Sequence, residues 1–191
     1  MAYVSLVEKA QQILAEVIQE GDMAIDATVG NGHDVLFLAK AVGSTGHVLG
    51  LDIQADAIEN TRTRLQQEHV QCRVELLMQN HAHLDRCLPE TMKHRIKAVM
   101  FNLGYLPGGD KRVITRREST VQALDAVLSH LVPGGVISII AYRGHSGGQE
   151  ESRAVSDWSS RLDNTNYTVQ FINAQAESEK APFLIVVQRK K

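Results

Sequence analysis

This chain has little cysteine, no large surplus of one charge and no long apolar run. Its 191 residues include two cysteines, Cys72 and Cys87, which form no CxxC pair. Two such cysteines cannot build a disulfide framework, so we expect reduced thiols packed as small apolar side chains. No apolar run has the length of a membrane span, and no basic-then-apolar signal opens the chain. These absences predict a cytoplasmic protein with no membrane partner.

The charge balance excludes another class of protein. Twenty basic residues oppose 22 acidic ones, which gives a formal net charge of -2. This near-balance excludes a histone-like or strongly basic binder, but it leaves room for a local basic patch on a neutral body. Apolar side chains make up 43% of the residues, which fits one globular domain over residues 1–191 with a full-sized core.

Short apolar runs alternate with longer amphipathic stretches, and this alternation predicts the fold. The predicted strands are residues 23–27, 48–52, 74–78, 96–102, 136–142, 167–173 and 183–188, and the predicted helices include 4–18, 56–68, 120–131 and 148–162. Five βα units followed by two strands predict an α/β, Rossmann-like sheet of seven mostly parallel strands with helices on both faces. Residues 174–182 are too few for a helical crossover, so one of the last two strands should run antiparallel.

A glycine-containing turn, Asp-Ala-Thr-Val-Gly-Asn-Gly-His-Asp at 26–34, follows the first predicted strand. Glycines there let the backbone approach a ligand at a helix N-terminus. A dinucleotide fingerprint would need a third glycine where Val35 stands, and two carboxylates would repel a pyrophosphate. S-adenosylmethionine, which carries an ammonium and a sulfonium group, fits better than NAD or FAD. From this turn we expect cofactor contacts from Asp26, Gly30, Asn31, Gly32 and Asp34.

Polar residues also end the second and third predicted strands. Asp52 lies 26 residues after Asp26, and a carboxylate at that position accepts both hydroxyls of an adenosine ribose. Gln54 would reach the same sugar or the base edge, and Asn80 with His81 would meet the adenine ring. The alternative for an aspartate at a strand end is a turn or a helix cap, but the glycine turn at the right spacing favours a cofactor site.

The fourth predicted strand leads directly into Asn102-Leu-Gly-Tyr-Leu-Pro107. Many methyltransferases that act on planar amines carry an Asn/Asp-Pro-Pro-Tyr turn here. The Asn102 oxygen would accept an N–H bond and aim the nitrogen lone pair at the methyl group, while Tyr105 would flank a flat base. Leu103 and Gly104 replace the prolines, so methylation of an exocyclic base amine is not implied. The alternative is an ordinary turn after a strand.

His145, after the fifth predicted strand, is the candidate base. A protonated amine has no lone pair, so an aliphatic amine must lose a proton before it accepts a methyl group, and histidine titrates near neutrality. Two alternatives stay open, because a loop histidine could also bind a phosphate of tRNA or have no role in the site.

Four basic residues within seven positions follow the Asn102 turn. Beside a crevice, such a segment would grip a nucleic-acid backbone, whereas the alternative is a solvated surface loop. The residues that we expect to contact nucleic acid are Lys111, Arg112, Arg116, Arg117, Tyr142 and Arg143. A metal site is not expected, because His81, His83 and Asp85 have no fourth ligand nearby in the sequence.

Several segments together resemble one known family. They are residues 26–34, Asp52-Ile-Gln54, Phe101-Asn-Leu-Gly-Tyr-Leu-Pro-Gly-Gly-Asp-Lys111 and Gly144-His-Ser-Gly-Gly-Gln-Glu150. This set is similar to the MnmM family, long labelled putative rRNA methylases of the YtqB type. The resemblance implies a class I methyltransferase fold and a homodimer. It also implies methylation of the aminomethyl nitrogen of 5-aminomethyl-2-thiouridine at the tRNA wobble position, within the anticodon stem-loop.

Other readings of the same residues remain. The nearest is the same chemistry on rRNA or on a small-molecule amine, which differs in how binding responds to salt. A catalytically silent RNA-binding module would show no cofactor affinity, and a nicotinamide oxidoreductase would bind NADH. The missing glycine and the extra carboxylates of the turn argue against the last.

Overall fold

The structure is a computed structural model that describes residues 4–174, 178 and 180–191. Strands and helices alternate along the chain. The strands are β1 (Met23–Asp26), β2 (His47–Asp52), β3 (Arg73–Met78), β4 (Ile96–Leu103), β5 (Leu131–Ala141), β6 (Tyr167–Asn173) and β7 (Phe183–Arg189). The helices are α1 (Leu6–Ala15), α2 (His33–Ala41), α3 (Ala55–Gln67), α4 (Leu84–Cys87), α5 (Arg117–Leu128) and α6 (Gly148–Ser160), with a 3₁₀ turn at His81–His83.

The seven strands form one sheet in the order β3-β2-β1-β4-β5-β7-β6. All neighbours from β3 to β5 pair in parallel, and β7 runs antiparallel to both β5 and β6. The expectation of one antiparallel strand among the last two is therefore confirmed. The strand order reverses between β1 and β4, and the carboxyl ends of strands on either side of such a reversal frame a crevice in doubly wound sheets.

Each face of the sheet has its own apolar core. Helices α1 and α2 cover one face, where Leu14 and Leu38 are fully buried. Helices α4, α5 and α6 cover the other face, where Phe101 and Trp158 pack. Trp158 packs helix α6 against the sheet, and its indole Nε1 donates to Asp125 Oδ1 at 2.8 Å. Cys72 and Cys87 are free thiols packed against these cores, as expected.

The segment around Pro133 differs from the prediction. Helix α5 covers Arg117–Leu128 instead of 120–131, and β5 already begins at Leu131. The Pro-Gly-Gly run at 133–135, which separates the predicted helix from the predicted strand, lies inside β5. It fits there because the pairing of β4 with β5 shifts register between Ile96 and Ala98, and Gly134 adopts a φ of +75°. A bulge thus accommodates a proline and a left-handed residue that a regular strand would not.

The ends of other elements also differ. The opening helix is Leu6–Ala15, shorter than the predicted 4–18, and a capping box of Ser5 and Glu8 sets its start. The short turns between His81 and Cys87 were not predicted. No helix in the described part of the chain is both long and apolar enough to cross a membrane.

Candidate cofactor and substrate crevice

A cavity of about 960 Å³ opens at the carboxyl ends of β1 to β5. This volume is at the upper end of the range for ligand pockets, roughly 300–1,000 Å³, so it suits a cofactor together with part of a substrate. The predicted site residues that line it are Gly30, Asn31, Asp34, Asp52, Gln54, Asn80, His81, Asn102, Tyr105, Lys111, Arg116, Tyr142 and His145. Asp26, Gly32, Arg112, Arg117 and Arg143 do not line it.

The glycine turn connects β1 to α2 in a conformation that side chains would obstruct. Gly30 and Gly32 have φ values of +52° and +76°. A Cβ atom at Gly32 would lie 2.5 Å from Thr61 Oγ1, so α3 packs directly against this backbone. Gly32 is the N-cap residue of α2, so no side-chain hydrogen bond caps this helix. Free amide groups at a helix N-terminus suit the carboxylate of a ligand, and Gly32 supports such a site from below the cavity surface.

Asp52 shapes the turn from the end of β2. Its Oδ2 accepts the Gly30 backbone N–H at 2.9 Å, and its Oδ1 accepts the Gln54 backbone N–H at 2.9 Å. A carboxylate has about four acceptor sites, so each oxygen retains capacity for a ribose hydroxyl. The same side chain thus holds the glycine turn and faces the cavity.

Three acidic side chains, Asp26, Asp34 and Asp52, lie close together at this end of the crevice. Asp26 is fully buried and accepts the Thr28 N–H at 3.0 Å. Burial raises the pKa of Asp26 well above its ordinary value, and the nearby charges of Asp34 and Asp52 raise it further. A pyrophosphate would be repelled here, whereas a sulfonium or ammonium group would be attracted. The residues present therefore fit S-adenosylmethionine, although a direct contact from Asp26 stays a prediction.

The segment after β3 forms the floor beside the predicted adenine position. Asn80 Oδ1 accepts the Ala82 N–H at 2.9 Å and so caps the 3₁₀ turn. His81 is 7% exposed and packs edge-on against Phe101. Burial lowers the pKa of His81 to about 4, so its ring is neutral at pH 7. A neutral ring suits contact with an uncharged base better than an imidazolium would.

Asn102, near the end of β4, is held on two sides. Its backbone N–H donates to Thr28 Oγ1 at 2.7 Å, and its side-chain Nδ2 donates to Asp34 Oδ2 at 2.6 Å. Its Oδ1 is buried and receives no hydrogen bond from any described residue. A buried acceptor without a donor costs free energy, so a ligand N–H at this place would be favourable.

The chain between β4 and α5 makes a loop across the mouth of the cavity. Thr115 donates its backbone N–H to the Gly104 oxygen at 2.8 Å, and Tyr105 bridges Ile114. This closure places the Tyr105 ring at right angles to His145, with 6.1 Å between centroids. The Lys111 ammonium lies 5.8 Å from the same tyrosine ring. Tyr105, 40% exposed, thus presents a flat surface beside the reaction side of the cavity.

His145 lies in the turn between β5 and α6. Its Nδ1 is 2.9 Å from the Ser146 carbonyl oxygen, and a carbonyl only accepts, so Nδ1 carries the hydrogen. The neutral ring then has its lone pair on Nε2, which is buried and has no donor in the described ranges. A Cβ atom at Gly148 would lie 2.8 Å from this nitrogen. Glycine at 148 therefore makes room for the imidazole.

The predicted nucleic-acid contacts separate into two groups. Lys111 and Arg116 line the cavity. Arg112 forms a two-pronged ion pair with Asp110, and Arg117 pairs with Glu118. Arg143 lies with its guanidinium 4.6 Å from the centre of the Phe183 ring. Tyr142 is 39% exposed at the cavity edge. A contact with nucleic acid stays a prediction for all six.

A buried glutamate was missed by the sequence analysis. Glu151 is 2% exposed; its Oε1 accepts from Thr120 Oγ1 at 2.6 Å and its Oε2 from Thr115 Oγ1 at 2.7 Å. Thr120 also lies 3.4 Å from His81 Nε2. Burial raises the pKa of Glu151, although the two hydroxyls oppose the rise. The available signal was a charge on the apolar face of α6, one turn before Val155.

Helix α1 also contributes to the crevice, which the sequence analysis did not anticipate. Val7 lines the cavity, and Gln11 Nε2 donates to Asp34 Oδ1 at 2.7 Å. Nothing in the local pattern of α1 distinguishes Gln11 from other polar residues on that helix.

Asp85, considered above for a metal, accepts a hydrogen bond from His130 Nε2 at 2.9 Å. No group of three metal-binding side chains occurs among the residues that the structure describes.

Most of the chain matches a known protein family. Residues 48–188 match the family described as putative rRNA methylase. A chloroplastic tRNA (mnm(5)s(2)U34)-methyltransferase of Arabidopsis thaliana is 43% identical over 164 residues, which cover 81% of this chain and 59% of that protein. The chain thus spans about 59% of the length of this curated relative.

Two solved structures are similar over nearly the full length of both chains. One is described as a putative rRNA methylase of Clostridium thermocellum, with a TM-score of 0.91, 35% identity, and coverage of 99% of this chain and 100% of the other. The second is described as a putative methyltransferase of Streptococcus mutans in complex with SAH, with a TM-score of 0.85, 31% identity, and coverage of 98% and 99%. The fold is thus that of class I methyltransferases.

Proposed function

The chain belongs to the family described as putative rRNA methylases, and from this premise we propose that it is an S-adenosylmethionine-dependent tRNA methyltransferase. Its substrate is the aminomethyl group of 5-aminomethyl-2-thiouridine at wobble position 34, and its product is 5-methylaminomethyl-2-thiouridine. The name of the Arabidopsis relative supports this nucleoside. The SAH complex of the Streptococcus mutans relative supports the cofactor.

One observation carries the choice of an amine as the acceptor of the methyl group. Asn102 Oδ1 and His145 Nε2 are buried hydrogen-bond acceptors that receive nothing from the described part of the chain, and both residues line the cavity. An amine offers N–H groups to such acceptors, whereas a carboxylate or a thiolate offers none. The flat Tyr105 ring beside them suits the uracil ring that carries the aminomethyl group.

The residues of the chain divide the chemical work. When bound, S-adenosylmethionine supplies an electrophilic methyl group on its sulfonium. His145 Nε2 takes one proton from the ammonium form of the substrate, which frees the nitrogen lone pair. Asn102 Oδ1 accepts a hydrogen bond from one of the remaining N–H groups and so orients that lone pair. Tyr105 and the loop across the cavity exclude water, and alignment with desolvation provides most of the rate gain.

Nucleoside mass spectrometry tests the proposal directly. The protein is incubated with S-adenosylmethionine and tRNA that carries 5-aminomethyl-2-thiouridine, and a gain of one methyl group on that nucleoside is expected. The Asp52→Ala variant should give no gain, because it loses the predicted ribose contact. Binding of S-adenosylmethionine without methyl gain would overturn the tRNA substrate and leave rRNA, which the family description favours, or a small amine as the substrate.

We also propose that residues 1–191 act as one catalytic domain, that the protein is a cytoplasmic homodimer, and that it binds the tRNA anticodon stem-loop. These points rest on the resemblance to the MnmM family. Light scattering should give twice the mass of one chain, and the mass of a single chain would overturn the dimer. An isolated anticodon stem-loop should compete with full-length tRNA for binding.

A further inference from the structure

We infer that Asp34 is a positioning residue, whose carboxylate fixes the Asn102 side-chain amide with its oxygen available to the substrate. This inference deepens the proposed function and rests on it for the nature of the substrate. It also gives Asp34 a different role from the cofactor contact that the sequence predicts.

The two ends of an asparagine amide differ only by a half-turn about the last side-chain bond. One end donates and the other accepts, so the neighbouring groups decide which end faces which way. In this structure Asn102 Nδ2 is 2.6 Å from Asp34 Oδ2. A carboxylate accepts and does not donate, so the nitrogen must face Asp34. The oxygen consequently faces away from it.

Asp34 is itself held in place. Its Oδ1 accepts from Gln11 Nε2 at 2.7 Å, and its side chain is almost fully buried, with 5% exposure of the residue. Each carboxylate oxygen is thus engaged by an amide N–H, one from α1 and one from β4. The backbone of Asn102 is anchored separately by Thr28 Oγ1. These contacts leave the asparagine amide one favourable orientation.

Asp34→Asn is the sharpest test, because it changes one oxygen to an NH₂ group and keeps the shape of the side chain. An asparagine at 34 donates to Asn102 Oδ1, which lets the Asn102 amide turn over and present N–H groups to an N–H substrate. We expect kcat to fall at least 100-fold while the Kd of S-adenosylmethionine changes less than threefold. Asp56→Asn is the matched control, since Asp56 also lies in the first turn of a helix but is exposed outside the cavity.

A reciprocal exchange separates positioning from packing. In the double variant Asp34→Asn with Asn102→Asp, the donor lies at 34 and the acceptor at 102, so an oxygen again faces the substrate. We expect at least a tenfold recovery of kcat over Asp34→Asn. Asn102→Asp alone should be poorly active, because two carboxylates then face each other. A double variant no better than either single variant would overturn the inference.

A measurement without turnover keeps this inference apart from the proposed function. In protein labelled with ¹⁵N-asparagine, one Asn102 side-chain proton should resonate downfield and exchange slowly with solvent, because it donates to a carboxylate. Both features should disappear in Asp34→Asn. If they are present in a wild-type protein that does not methylate tRNA, the proposed function fails and the positioning stands. Their absence from wild type, or a 100-fold weaker cofactor Kd with kcat unchanged in Asp34→Asn, would overturn the positioning.

Discussion

The two halves of the crevice differ in whether the polar side chains that line the cavity are hydrogen-bonded to the rest of the chain. In the cofactor half, after β1 to β3, Asp52 holds two backbone N–H groups and Asn80 caps a turn. In the reaction half, after β4 and β5, Asn102 Oδ1 and His145 Nε2 receive no donor within the described residues. Hydrogen bonds within the chain thus shape the lining of the first half, where the acceptor without a donor is Asp26 Oδ2, buried outside the cavity lining, whereas the lining of the second half keeps two acceptors open to a ligand.

This difference follows from what each half must bind. The cofactor has a constant shape, so a site held by internal hydrogen bonds loses little entropy when the cofactor enters. An amine that must lose a proton needs acceptors that are not already satisfied. Leaving them unsatisfied costs stability. Contacts of the Asn102 and His145 side chains with Asp34 and Ser146, and of the Asn102 backbone with Thr28, hold the two residues in place.

Asp52→Ala should weaken cofactor binding, and we expect this to be the largest effect of any single change. The variant loses the predicted ribose contacts and the anchor of the Gly30 turn, and two hydrogen bonds to a charged group are worth about 3–6 kcal/mol. The Kd of S-adenosylmethionine should therefore rise by roughly 10²–10⁴-fold. Calorimetric titration measures it, with Asp56→Ala as the control on the following helix. A change under tenfold would show that Asp52 serves only the turn.

His145→Gln should impair catalysis in the reaction half and leave cofactor binding unchanged. Loss of a general base lowers kcat by about 10²-fold or more, and the Kd of the cofactor should not change. The measurement is a pH–rate profile of the variant beside wild type, with exposed His83→Gln as the control. Weaker tRNA binding with an unchanged profile would make His145 a phosphate contact instead.

Residues of both halves could be predicted from the sequence, but two of the residues that support them could not. Parallel strands bring their carboxyl ends to one edge, so a common crevice for Gly30, Asp52 and Asn102 was predicted from their positions at or just after the ends of predicted strands, and all three line one cavity. The family resemblance is confirmed. Glu151 and Gln11 were missed because their partners lie 31 to 36 and 23 residues away, respectively. No local pattern encodes contacts between helices. The bulge at Pro133 escaped for a similar reason, since it depends on pairing with β4.

Glu151 connects the two halves, because it accepts hydrogen bonds from Thr115 and Thr120, and Thr120 lies beside His81. The effect of its titration on stability can be measured. The pKa of this buried carboxyl is raised above the ordinary 4.5, so the folded state holds a proton that the unfolded state releases. The free energy of unfolding of wild type therefore falls as pH rises from 4.5 through the raised pKa. Glu151→Gln does not titrate, so its stability relative to wild type should increase over that range.

Urea unfolding at several pH values measures this effect. Glu150→Gln, at an exposed neighbouring position, serves as the control and should show no such trend. A stability difference between Glu151→Gln and wild type that stays constant from pH 4.5 to 7 would contradict the buried titration. It would leave Glu151 as a hydrogen-bond acceptor for Thr115 and Thr120 alone.

The smallest expected effect concerns the basic residues beside the reaction half. Lys111 and Arg116 line the cavity, whereas Arg112 and Arg117 are paired with Asp110 and Glu118. Each phosphate contact adds about 0.7–0.9 to the slope of log binding constant against log salt.

Lys111→Ala and Arg116→Ala should each reduce that slope by about this amount, because each removes one contact with the RNA backbone. Arg112→Ala and Arg117→Ala should reduce it less, since part of their charge is already neutralised by a carboxylate. Fluorescence anisotropy of tRNA between 50 and 200 mM salt, about the range over which such contacts weaken strongly, gives the slopes. Arg62→Ala is the control, because Arg62 lies on α3, pairs with Glu59 and does not line the cavity. Equal slopes for all five variants would mean that the RNA backbone does not lie along this loop, and the reaction half would then receive its amine from a small molecule or from a differently placed RNA.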